Sequence, residues 1–241
     1  MSEGSFRGFS APPDREALHA FMRTNVGCGS TPTTGWVNID NSPSVMLARH
    51  PAVVALLRWV GLLNSSQMAF IAFCRQHHLV RASATRLPLP TASADVVYAS
   101  HLIEHLDRSD ADRFLLEVRR VLRGGGVLRL VIPDLQRLVQ DYIWSRDADA
   151  LVDSLLLVAP PARSFREVVT SLLGSPSRHK WMYDESSLCA LLTSHGFTEV
   201  TVIQAGQTRI HDPGPLDLFE RSHQSSYVEA VNTSGDCAAG S

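Results

Sequence analysis

The chain has 241 residues, of which 44% are hydrophobic and 19% charged, an ordinary globular balance that excludes a disordered chain and allows one large domain or two small ones. Its 22 basic and 24 acidic residues give a net charge of −2, so no broad basic face for nucleic acid is expected. Cys28, Cys74, Cys189 and Cys237 lie far apart with no C-x-x-C, which excludes a zinc ribbon or a disulfide framework. The first residues carry acids and no apolar run, and no stretch reaches the ~20 apolar residues of a bilayer span. The expectation is a cytoplasmic protein without a transmembrane segment.

Residues 1–23 read as a Gly/Ser/Pro-rich arm followed by a short helix from Asp14 to Met22, capped by Asp14. A strand from Thr24 to Gly27 enters the turn Cys28-Gly29-Ser30, and a second strand, Trp36 to Ile39, ends at Asp40. Residues 41–78 form an apolar insert, predicted as two helices, Val45–Leu63 and Gln67–His77, joined at Asn64-Ser65-Ser66. Strands follow at Leu79–Arg81 and Asp95–Ala99. A helix from Asp110 to Leu122 is expected to exit at Gly124-Gly125-Gly126. Val127–Ile132 is strongly strand-like, and helical segments fill much of Leu135–Leu173. Ser186–Ser194 reads as the last helix, Val200–Gln204 and Ser226–Val231 as the last strands, and 233–241 as a disordered tail.

Strands alternating with helices, then a late strand pair, define an α/β fold. The expectation is a Rossmann-like seven-stranded sheet, mostly parallel with a late antiparallel strand pair, in one domain over 24–232. In such sheets ligands bind outside the carboxyl ends of the strands. Those ends are Gly27-Cys28-Gly29, Asp40, Ser83-Ala84 and Ser100-His101. The dinucleotide fingerprint needs a third glycine where Pro32 stands, which disfavours a pyrophosphate, whereas Asp40 suits a ribose diol. A nucleoside ligand fits better than NAD. Only Cys28–Gly35 separates the first two strands, so the first crossover helix is expected to shrink to about a turn, starting at Pro32.

The segments NVGCGSTPTTGWVNID (25–40), LPLPTASADVVYASHLIEHL (87–106), FLLEVRRVLRGGGVLRLVIPDL (114–135), HKWMYDESSL (179–188) and HGFTEVTV (195–202) resemble the class I S-adenosylmethionine-dependent methyltransferases, more closely a group of small bacterial members. The resemblance implies S-adenosyl-L-methionine as cofactor. Gly27, Cys28 and Gly29 would approach its methionine part, Asp40 its ribose, and Ser83 and Ala84 its adenine, with the Ser100-His101 turn closing the site. Relatives carry an acid where Ser83 stands, so adenine contacts would rest on backbone groups.

H-L-I-E-H (101–105) would place His101 and His105 on one helix face. Glu104 and His105 read as local helix structure. H-x-x-E-H also describes a zinc peptidase, the alternative of a metal hydrolase. Some methyltransferases carry E-x-x-E-H at this place and hold a divalent ion; that resemblance would recruit His101, Glu104, His105 and His179, but no metal is assigned. His101 and His179 are the candidate catalytic bases, since a hydroxyl acceptor needs a base of pKa near 7. Trp181 and Tyr183 could line the acceptor pocket. The acceptor is expected to be a small molecule or saccharide, methylated on oxygen; a non-catalytic S-adenosylmethionine- or S-adenosylhomocysteine-binding protein is the alternative. The insert, apolar nearly all round, should pack in the core, pair two copies as a homodimer, or touch a lipid-like acceptor.

Overall fold

The computed structural model describes residues 21–157 and 178–233. Most of the expected 14–22 helix, the helical stretch beyond 157 and the tail after 233 lie outside the described residues.

A seven-stranded sheet has the order β3-β2-β1-β4-β5-β7-β6. Its strands are β1 (Arg23–Val26), β2 (Val37–Asp40), β3 (Val80–Arg81), β4 (Ala94–Ser100), β5 (Leu122–Pro133), β6 (Phe197–Ile203) and β7 (Ser225–Asn232). All pairings from β3 to β5 are parallel, and β7 runs antiparallel between β5 and β6. The expected mostly parallel sheet with a late antiparallel pair is therefore the one observed.

One face of the sheet is covered by helices. In α4 (Arg108–Val121), Phe114, Leu115, Val118 and Val121 recur at helical spacing and are buried, and Asp107 accepts a hydrogen bond from the Asp110 N–H to start the helix. They pack on Leu128, Leu130 and Ile132 of β5, which alternate onto that face, and on Leu188 and Leu192 of a later helix, Glu185–Ser194. The expected glycine exit is not used. Leu122 turns extended straight after Val121 and pairs with Ala94, so Gly124, Gly125 and Gly126 lie inside β5, where the register shifts between Ala94 and Val96.

The opposite face has no helix between β1 and β2. The predicted helical turn at Pro32 is absent; residues 27–36 form a loop laced by two asparagines. Asn25 and Asn38 stand side by side in the β1–β2 register. Asn25 Nδ2 donates to the Thr31 carbonyl (3.0 Å) and Thr33 Oγ1 (3.2 Å), while Asn38 accepts from the Thr33 N–H (2.8 Å) and donates to the Thr33 and Trp36 carbonyls. These amides replace the internal bonds that a crossover helix would have made. Trp36 then packs edge-on against Tyr98 with Val96, Val131 and Tyr227, under Ile210 and Leu216 from the stretch before β7.

The insert holds α1 (Pro43–Leu47), α2 (Pro51–Trp59) and α3 (Ser65–His77). The single helix expected over Val45–Leu63 is broken at Pro51, which has no N–H to donate back and holds His50 out of the helical region (φ −125°, ψ 73°). Asn64 and Gln67 form a reciprocal capping box at the start of α3. Val45, Leu47, Val54, Leu63 and Ile71 are buried as core packing requires, but Val53, Leu56, Trp59 and Val60 are exposed. Among the described residues the remaining α-helices are α5 (Leu135–Ser145), α6 (Ala148–Leu155) and α7 (Glu185–Ser194). Among the described residues no helix is long and apolar enough to cross a membrane.

Candidate functional site

The parallel order places the exits of β3, β2, β1 and β4 along one edge of the sheet. At the β1 exit, Gly27 (φ 72°) and Gly29 (φ 47°) adopt left-handed backbone that favours glycine. A Cβ at Gly27 would lie 2.8 Å from Leu102 Cδ1, so the turn after β4 closes directly onto the glycine turn. Gly29 has nothing within 4 Å of its Cβ position, which leaves its backbone open to a ligand. Asp40 joins the two neighbouring exits, its Oδ2 accepting from the Gly29 N–H (3.0 Å) and its Oδ1 from the Ser42 N–H (2.7 Å).

Cys28 presents only its backbone here, because its side chain is buried with Val45, Cys74 and Leu79. Burial, reinforced by the Asp40 charge, pushes both thiols up, Cys74 to about 11, so neither is a thiolate at neutral pH. Ser83 spends its hydroxyl locally: its Oγ lies 2.9 Å from Thr85 Oγ1, and its carbonyl accepts from the Arg86 N–H. Ala84 packs against the main core. Among the described residues no hydrogen bond links Ser83 to Asp40 or to the glycine turn.

Ser100 ends β4, and His101 follows in left-handed backbone (φ 48°), its N–H bonded to the Val131 carbonyl. The expected helix face does not form, since only Ile103–His105 makes a single 3₁₀ turn. That turn nevertheless brings His101 Nδ1 within 3.3 Å of Glu104 Oε1, while His101 Nε2 meets Ser225 Oγ at 2.9 Å. The ring tautomer sets whether His101 Nε2 or the Ser225 hydroxyl donates in that contact.

The loop carrying His179 is tied to the same turn, because the Lys180 and Trp181 N–H groups donate to the Glu104 carbonyl at 2.7 and 3.2 Å. The His179 ring lies 5.0 Å from that of His105, and His105 Nδ1 donates to the Arg178 carbonyl at 2.7 Å. Burial holds His179 below the ordinary histidine range, against the opposing pull of Glu104, so its neutral form dominates at pH 7. Glu104, His105 and His179 each bring a ligand atom within 4.8 Å of the others. Apart from the His101 contact, neither Glu104 oxygen has a hydrogen-bond donor among the described residues, although the side chain is 1% exposed. Tyr183 is buried in the main core, and Trp181 stands on the surface under Arg108.

The sequence reading took Glu104 for local structure and overlooked Ser225. The signal for Glu104 was present, a single acid between Leu102-Ile103 and His105-Leu106, as a buried carboxylate would be. Ser225 gave none, because it meets His101 only through the antiparallel return of β7.

Residues 25–130 match the family model described as "Methyltransferase domain". With the strand order and the glycine turn, that match makes the segment similar to the class I S-adenosylmethionine-dependent methyltransferases. The chain is 46% identical over 56 residues to a probable S-adenosylmethionine-dependent methyltransferase of Mycobacterium tuberculosis, a match covering 23% of this chain and 20% of that relative. The chain thus spans about a fifth of the length of the curated relatives it matches. Among solved structures, an S-adenosylmethionine-dependent methyltransferase of Thermotoga maritima, titled a possible histamine N-methyltransferase, aligns at 15% identity and TM-score 0.48 over 90% of this chain and 84% of its own. One from Archaeoglobus fulgidus aligns at 13% identity and TM-score 0.47 over 89% and 87%.

Proposed function

We propose that this chain transfers a methyl group from S-adenosylmethionine to an oxygen of a small-molecule or saccharide acceptor. The observation that carries the reading is the coupling of Asp40 to the glycine turn at neighbouring strand exits. The residues fit the cofactor. Each Asp40 oxygen accepts one backbone N–H and keeps a lone pair for a ribose hydroxyl, and the Gly29 backbone faces open space. When bound, S-adenosylmethionine supplies a methyl group on a sulfonium, which departs as a neutral thioether. The protein's part is to hold the acceptor in line and to accept its proton. With the ring proton on Nδ1, His101 Nε2 carries the lone pair for that proton, the Ser225 hydroxyl marks where an acceptor hydroxyl would lie, and Glu104 steadies the resulting imidazolium. His179, in the same cluster, is the second candidate base.

Methyl-labelled S-adenosylmethionine offered with hydroxylated small molecules and saccharides tests this reading. His101→Asn, which tolerates left-handed backbone, should lower kcat by about 10²–10⁴ and leave S-adenosylhomocysteine affinity unchanged. Intact cofactor binding with no transfer to any acceptor would make the chain a binding protein instead.

One observation favours an ion-assisted version of the same reading: the donor-free, buried Glu104 carboxylate faces two imidazoles. Glu104, His105 and His179 would hold a divalent ion, a donor set suited to zinc or manganese. Calorimetric titration of the purified chain with Zn²⁺, Mn²⁺ and Mg²⁺ decides it, with Glu104→Gln expected to abolish the heat. No heat in the parent chain leaves the base-only reading.

A further inference from the structure

The insert combines two features that the methyl-transfer reading does not use. First, α2 has the sequence PAVVALLRW, yet only Val54 is buried, while Trp59 is 83% and Leu56 57% exposed. A helix apolar on nearly every side is normally covered. Second, no acid occurs between Asp40 and Asp95, whereas the insert and its exit strand carry Arg49, Arg58, Arg75 and Arg81, all exposed. None of the four has a carboxylate partner among the described residues. On a chain of net charge −2 this is a local positive region.

The two features share one surface. Arg58, Trp59 and Arg75 line one cavity with Pro51 and Met68, and Arg75 continues into a second one with Arg49 and His78. Arginine heads beside exposed Trp and Leu match the chemistry of an interfacial helix, with apolar groups entering the acyl boundary and guanidinium groups meeting phosphates. With nine residues, α2 is too short to cross a bilayer, so it would lie in the surface.

We propose that this face docks the protein on an anionic lipid bilayer. Charge complementarity selects that occupant over a second copy: a two-fold contact through the same face would press its unpaired arginines against their counterparts. Docking rests on this surface alone and not on methyl transfer. It would bring lipid-borne molecules near the chain, since α1 begins just after Asp40.

The test is co-sedimentation of the whole chain with vesicles of phosphatidylcholine alone and of phosphatidylcholine with phosphatidylglycerol. Binding should require the anionic lipid and weaken as salt rises. Arg49→Gln with Arg58→Gln should reduce partitioning by about fivefold per arginine. A blue shift of tryptophan emission on binding should vanish in Trp59→Phe, which keeps the helix apolar. Absence of binding to the anionic vesicles overturns the proposal. So does equal binding to both vesicle types, or a dimer in sedimentation velocity that Trp59→Ser dissolves.

Discussion

Glu117 shows how one exposed-looking acid on α4 holds a neighbouring turn. Its Oε1 accepts from the Leu87 N–H at 2.7 Å, and both oxygens take charge-assisted bonds from Arg120, which also donates to the Leu87 and Leu89 carbonyls. The Arg120 hydrogen bonds, with help from the Leu87 N–H, hold the Glu117 carboxyl below its ordinary range against the cost of its partial burial. A carboxylate depressed in the folded state stabilises fully above its unfolded pKa of about 4.3, and that contribution fades as pH falls through the folded value. Urea midpoints measured from pH 7 down to pH 3 should therefore fall less steeply for Glu117→Gln than for the parent chain. Parallel profiles would contradict this role. At the same scale, the glycine turn and Asp40 were legible because a tight turn and a strand-end acid leave local marks. The His101–Ser225 contact was not, since it joins residues 124 apart.

Among the elements, the loop between β1 and β2 departs furthest from what its fold would suggest. It is too short for a crossover helix, and the brevity itself was readable. How the loop would be stabilised was not, because Asn25 and Asn38 act only once β1 and β2 pair in register. Asn25 is 1% exposed and its amide satisfies two acceptors. Asn25→Ala strands both and should cost about 1–3 kcal/mol in chemical denaturation, whereas a loss below a few tenths would show that the loop holds itself. The helix ends teach the complementary lesson. Pro51 broke the expected 45–63 helix by a rule of local chemistry that could have been applied from sequence. At Leu122 the three following glycines suggested an exit, but the free edge of Ala94 offered backbone pairing two residues earlier. Tertiary pairing decided that boundary.

At the scale of the whole molecule, the two faces of the sheet are held differently. Helices α4 and α7 cover one face with apolar side chains. The other relies on Trp36, the 204–224 stretch and a buried ion pair, in which Arg129 of β5 meets Glu229 of β7 at 2.8 Å with both side chains fully buried. Arg129 also donates to the Gln207 carbonyl, and Glu229 accepts from Thr208 Oγ1 and the Arg209 N–H, so the pair pins that stretch to the sheet. Removing one partner of such a pair leaves an uncompensated charge, and Arg129→Met should cost about 3–5 kcal/mol in urea unfolding. A cost under 1 kcal/mol would mean that the stretch is held by its apolar contacts alone. Val127–Ile132 read as a strand from its sequence, but the partner of Arg129 did not, because Glu229 meets it only through the antiparallel pairing of β5 and β7. The central claim, a sulfur-nucleoside site built on Asp40 and the glycine turn, is tested most directly by calorimetric titration of the parent chain and Asp40→Asn with S-adenosylhomocysteine, with NAD as control. Micromolar binding of the sulfur nucleoside and none of NAD is predicted, weakened about ten- to a hundredfold in the variant, as loss of charged hydrogen bonds worth about 1.5–3 kcal/mol requires. No binding by the folded parent chain, or equal affinity in the two proteins, would contradict it.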